Sequence, residues 1–109
     1  ETNLAGVITY SNPRHHEILA YPPGELIGMT IFDLVHAPSE KRKLKKHLNQ
    51  LISEQPTPSP YITVSRRKDG SPVSTQVDWA YLRDENDKLT GFVSLITDIT
   101  FETILRFTM

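Results

Sequence analysis

Apolar and polar residues follow two different rhythms along this chain. In residues 39–53, Leu44, Leu48, Leu51 and Ile52 recur at helical spacing, while Lys41, Arg42, Lys43, Lys45 and Lys46 fill the positions between them. That pattern predicts a helix with one apolar stripe and a basic remainder. Ser39 is placed to cap it, and Glu40 lies near the positive end of its dipole. Residues 55–60 alternate proline with polar residues, so the helix cannot continue and a loop follows. Beyond that loop the rhythm shortens to two. Residues 61–67 alternate and are rich in β-formers. Val73, Thr75, Val77, Trp79 and Tyr81 then alternate with Ser74, Gln76 and Asp78, as in a long half-buried strand. Residues 89–98 give a third strand. Lys68, Asp69 and Gly70 form one tight turn, and residues 84–88 a charged one.

The first third is more broken. Residues 6–11 are β-branched and aromatic and predict a strand, with Ile8 and Tyr10 on one face. Pro13 suits the first turn of a short helix over residues 13–20, with Ile18 and Leu19 inward. Pro22, Pro23 and Gly24 break the chain again, and residues 31–35 have room for one more helical turn. A helical middle followed by three strands on short turns predicts an α+β domain with an antiparallel meander.

Composition narrows what such a domain does. Its 109 residues suit one compact unit. A net charge of −1 argues against a general nucleic-acid binder. With no cysteine there is no disulfide, thiolate metal site or cysteine chemistry. No apolar run approaches the roughly 20 residues of a membrane-spanning helix. Residues 1–6 carry neither the basic nor the apolar part of a signal peptide. Residues 101–109 read as the start of a helix, and the chain as one module of a longer cytoplasmic protein.

The order of these elements and their punctuation resemble the PAS family of sensory domains, from about residue 3 to residue 100. Residues 6–13, ending in Asn12 and Pro13, resemble an early strand and the start of the first short helix. Tyr21, Glu25, Leu26, Ile27 and Gly28 follow the family's pattern. So do His36 and Pro38 before the long helix, with Ala37 inserted. Arg67, Lys68, Asp69 and Gly70 resemble its hairpin, and Asp98, Ile99 and Thr100 the close of its last strand. Ala20 stands where the family usually has glycine. The family's sheet has five strands, and the strand before Gly6 is largely missing here, since only residues 1–4 precede it.

The resemblance implies a ligand site between the long helix and the concave face of the sheet. Position by position it assigns Leu44 and Leu48 from the helix, Thr75, Val77 and Trp79 from the long strand, and Phe92, Ser94 and Ile96 from the last strand. An apolar cavity with a few hydroxyls suits a small organic ligand; equally, these side chains could pack solidly against one another. The family's light-sensing flavin branch needs a reactive cysteine, which is absent, and Thr75 and Ile96 stand where that branch uses amides. Its haem branch places a histidine where Leu44 stands, and His47 reads as a solvated residue of a basic helix. Neither flavin nor haem is therefore expected. Adjacent His15 and His16 diverge on a helix and do not share a metal; His15 reads as a packed core ring, and His36 as structural.

No nucleophile, base and oxyanion donors converge at a recognisable spacing, so the domain is not expected to be an enzyme. By resemblance, Asp98, Ile99 and Thr100 relay a signal into a C-terminal helix where Phe101, Ile104 and Leu105 support a homodimer. The expected effector is a histidine kinase. The alternative is a ligand-free dimerisation or interaction module of a diguanylate cyclase or transcription regulator, with residues 41–46 as a docking surface.

Overall fold

The computed structural model describes residues 1–100. Four strands form one antiparallel sheet: β1 (Thr2–Asn3), β2 (Tyr61–Arg66), β3 (Pro72–Arg83) and β4 (Leu89–Asp98), in the order β1-β4-β3-β2. Two α-helices, α1 (Pro13–Leu19) and α2 (Pro38–Glu54), and a 3₁₀ turn at Ile31–Leu34 precede the meander.

The meander follows from its turns. Asp69 accepts hydrogen bonds from the backbone N–H and hydroxyl of Ser71 at 2.9 and 2.6 Å, and Gly70 takes φ +89°, closing the β2–β3 hairpin. Asp84 accepts from the backbone N–H of Asn86 and of Lys88 at 2.8 and 2.9 Å, closing β3–β4. Register then places Trp79 opposite Ser94 and Val77 opposite Ile96.

Helix α1 begins where the proline indicated. Asn12 caps it by accepting from the His15 N–H at 3.0 Å, with Pro13 at the first position. It ends at Ala20 in the left-handed region, φ +59° and ψ +36°, which explains why the family favours glycine there. Helix α2 starts one residue before the expected cap. Ala37 is the N-cap and Pro38 occupies the first turn, so Ser39 lies inside the helix and caps nothing. The proline, which cannot donate and is pre-set in φ, outranks the serine as a start signal.

Residues 6–11 are not a strand. Val7 makes a single bridge to Thr30, and Ile8 one to Thr2. Ile8 is buried while Tyr10 is exposed, so the two do not share a buried face. The segment has β-forming residues, but its pairing stops at isolated bridges, to Thr2 of β1 on one side and to Thr30 on the other. The fourth strand is Thr2–Asn3, paired with Phe92 and Gly91.

The core divides into two clusters. One holds Ile8, Ile18, Leu19, Leu26, Leu34 and Val73; the other holds Leu48, Leu51, Leu89 and Phe92. Ile31 packs against both.

Candidate functional site

Between the two clusters lies a cavity of about 120 Å³. Ile8, Leu19 and Leu34 wall it on one side and Leu48, Leu51 and Phe92 on the other, so the hollow separates the core in two. Interiors normally pack to crystal-like density, and a void of this size forfeits contacts that a solid core would make.

Seven of the eight expected positions surround it: Leu44, Leu48, Val77, Trp79, Phe92, Ser94 and Ile96. The strand positions share the inward face through the period-two alternation of β3 and β4. Thr75 does not line the cavity. It is fully buried beneath it, its hydroxyl 2.8 Å from that of Ser65 and donating at 3.3 Å to the Thr63 carbonyl. A hydroxyl enclosed in a sheet is kept by its hydrogen bonds, and here they hold β3 to β2.

Several lining residues were not expected. His47 is not a solvated helix residue: it is half-buried, faces the cavity beside Leu44 and Leu48, and stacks on Tyr61 with ring centroids 4.3 Å apart. Its signal was in the sequence, since positions 44, 47, 48 and 51 share one helix face. Burial lowers its pKa. His15 also lines the cavity, while its neighbour His16 is the packed imidazole. The ring of His15 lies 3.2 Å from the Ser11 hydroxyl. Burial, helped by the positive amino terminus and His16, lowers its pKa to about 4, so it is neutral at pH 7. Tyr61, Thr63 and Ser65 complete the wall from β2. Thr63 donates to the Glu40 carboxylate at 2.7 Å, tying this wall to the start of α2. Burial and then the Glu40 charge raise the pKa of Tyr61.

An aromatic ladder stiffens the far end. Trp79 packs edge-on against Tyr81 and Phe92 at 5.1 and 6.2 Å. The Trp79 indole donates to the Ser59 carbonyl at 2.8 Å, the Tyr81 hydroxyl to that of Pro56 at 2.5 Å, and Arg83 to the Gln55 side chain at 2.6 Å. These three bonds fasten the proline-rich loop after α2 onto β3.

At the end of β4, Ile96 lines the cavity and Asp98 lies two residues beyond it. Asp98 accepts from the Thr100 N–H at 2.9 Å, and the Ile99 N–H donates to Ser74 at 2.9 Å. Desolvation pushes the Asp98 carboxyl up, but the Thr100 hydrogen bonds with Arg67 and Arg14 nearby outweigh it, so its pKa is lowered. The anticipated helix over residues 101–109 lies outside the described residues. His36 is exposed and lends only its backbone N–H, to Val64.

Among the described residues, no group of three or more histidine or carboxylate side chains is arranged to hold a metal ion. No described helix is long and apolar enough to cross a membrane.

Comparison with known proteins agrees with this architecture. The family model described as the PAS fold matches residues 1–99. The C4-dicarboxylate transport sensor protein DctS of Rhodobacter capsulatus is 31% identical over 98 residues, covering 90% of this chain. The chain spans only 15% of that relative's length. The crystal structure of a PAS domain from Colwellia psychrerythraea superposes with a TM-score of 0.80 at 21% identity, over 92% of this chain and 83% of the other. The N-terminal domain of a diguanylate cyclase with PAS/PAC sensor from Marinobacter aquaeolei gives 0.76 at 16% identity, over 94% of each chain. This chain therefore belongs to the PAS fold family and is a sensory domain of the kind that signalling proteins carry.

Proposed function

We propose that the domain binds a small uncharged organic molecule in the hollow between α2 and the sheet, and relays its presence through Asp98, Ile99 and Thr100 to an effector in the same chain. The divided core carries this reading, since a cavity of about 120 Å³ lined by seven of the eight expected positions is what a ligand would fill. The same volume suits a one-ring molecule rather than haem or flavin. No lysine or arginine side chain lines it. Glu1, the one charged residue of its wall, carries a carboxylate beside its amino terminus, so a dicarboxylate meets no net positive charge there and the ligand class in the relative's name does not carry over.

The effector we infer is a histidine kinase, entered through a helix over residues 101–109 that follows a sensory domain of residues 1–100. Such a kinase draws on cytoplasmic ATP, and a domain joined to it directly would share that compartment. The domain contributes sensing and no catalysis of its own. Native mass spectrometry of the purified chain tests the binding: a co-purifying small molecule, lost on denaturation, is the expected result. The relay is tested in the parent protein with Asp98→Ala combined with Thr100→Ala. Signalling that continues unchanged in that variant overturns the route.

One observation favours the interaction-module alternative. Ile62, Val93 and Leu95 project from the outer face of the sheet and are 56%, 38% and 56% exposed. If this face joins two copies into a homodimer, Leu95→Lys makes the chain monomeric in sedimentation; a wild-type monomer removes the reading.

A further inference from the structure

The hydroxyls around the hollow differ in what they are bonded to. Thr63 donates to Glu40, and Ser65 is paired with the buried Thr75. Thr2, Tyr61 and Ser94 also line the hollow, and none of their hydroxyls has a hydrogen-bond partner among the described residues. Thr2 and Tyr61 stand on the edge strands β1 and β2. Ser94 stands on β4, facing inward opposite Trp79 and between Phe92 and Ile96. Its oxygen is open to contact: the enclosed side-chain atoms without a partner among the described residues belong to His16, His47 and Thr100. A polar atom left open in a mostly apolar wall is what fixes the orientation of a ligand in such a pocket.

Ser94 also lies where the hollow changes character. A smaller groove of about 70 Å³ adjoins it, and both are lined by Glu1, His15, Ser94 and Ile96. Ser11, Asn12 and Arg14 line the groove further out, whereas the hollow runs inward to Leu48, Leu51 and Trp79. The hollow therefore has a polar end between α1 and β4 and an apolar end under α2. Charge at the polar end favours neither sign. The Glu1 carboxylate works against an anion. That residue is exposed, so water screens its pull on a cation. The His15 ring is neutral at pH 7. Arg14, on the groove side, is paired with Glu17 at 3.9 Å. Volume sets the length. An apolar cavity of about 150 Å³ takes benzene, and this one measures about 120 Å³. A single ring fills it, and a short substituent reaches the Ser94 end.

Resting on the reading of this hollow as a ligand site, we propose that it takes an uncharged molecule of one-ring size with a hydroxyl at one end, held in one orientation. The hydroxyl pairs with that of Ser94 at the polar end, and the apolar body points toward Leu48 and Trp79. Ser94 is then the residue that selects a hydroxyl-bearing molecule over a hydrocarbon of the same shape.

Benzyl alcohol and ethylbenzene test this, because they match in shape and differ in whether the side chain ends in hydroxyl or methyl. Each is titrated into the 109-residue chain, followed by the indole resonance of Trp79 and by NOEs between probe and protein. A hydroxyl entering an apolar pocket without a partner loses affinity relative to the hydrocarbon. Paired with Ser94, benzyl alcohol binds at least as tightly as ethylbenzene. Its CH₂ protons then give NOEs to Ser94, and its ring protons to Leu48 and Trp79. Ser94→Ala removes an oxygen that bonds nothing within the described residues. It should weaken benzyl alcohol about fivefold and leave ethylbenzene within about twofold. Benzyl alcohol that lies the other way round, binds more weakly than ethylbenzene, or ignores the substitution overturns the role of Ser94 while leaving the hollow as a ligand site. Failure of both probes to bind overturns the ligand-site reading itself. The wild-type affinities and NOEs decide the matter whether or not the variant folds.

Discussion

Replacing Thr75 with valine separates a structural hydroxyl from a ligand-binding one. The side chain is fully buried, and valine preserves its shape while deleting the oxygen. Two hydrogen bonds disappear: the 2.8 Å contact with the Ser65 hydroxyl and the longer one to the Thr63 carbonyl. A typical bond contributes about 1 kcal/mol net, and a buried partner left unsatisfied adds about 1–3 kcal/mol. Ser65 is itself only 8% exposed, so Thr75→Val should destabilise by about 2 kcal/mol. For a domain of this size that lowers Tm by roughly 8–16 °C. In urea the midpoint falls by about 1 M at a slope near 2 kcal/mol/M. The double variant Ser65→Ala, Thr75→Val leaves no orphaned hydroxyl. It should be less destabilised than the sum of the singles by about 1 kcal/mol or more. A Thr75→Val chain within about 0.5 kcal/mol of wild type, or single losses that simply add, would refute the placement of this hydroxyl.

Three further outcomes follow from other parts of the fold. Ala20→Gly should stabilise by about 0.5–1 kcal/mol, because alanine is strained at φ +59° by more than glycine adds in unfolded-state entropy; denaturant titration reads it. Gly91→Ala should destabilise by roughly 2 kcal/mol, since a methyl there would overlap the Thr2 carbonyl oxygen and push β1 off the sheet, visible as loss of cross-strand NOEs between Thr2 and Phe92. His15 has a folded pKa near 4 against 6.5 unfolded, so below pH 6.5 the unfolded chain binds more protons and stability falls until about pH 4. Discounting the shift for partial exposure leaves a loss on the order of 1–2 kcal/mol. Thermal melts of wild type and His15→Gln should converge as the pH drops if this is right, and run parallel if it is not.

Much of this fold was legible because its signals are local. Asn12 with Pro13 marks α1, Asp69 with Gly70 closes one hairpin, and alternation fixes which residues of β3 and β4 face inward. What failed depends on distant partners. Residues 6–11 carry strand-forming side chains, yet the pairing falls to Thr2–Asn3, which nestle against Gly91 where no side chain intervenes. Thr75 obeys the alternation but sits where β2 and β3 meet, so its hydroxyl bonds to Ser65 instead of facing the hollow. His47 was hidden by its lysine neighbours, although its spacing from Leu44 and Leu51 puts it on the apolar stripe. Helical phase, more than local charge, decides which way such a residue turns.

The hollow between the two core clusters is the feature on which the account depends, and xenon probes it most directly. Apolar cavities of this size take up xenon. A pressurised crystal or ¹²⁹Xe NMR of the purified chain should place an atom among Leu48, Phe92 and Ile96, competed away by any ligand that co-purifies. A core that admits neither xenon nor a small molecule there, with the two clusters in direct contact, contradicts the account.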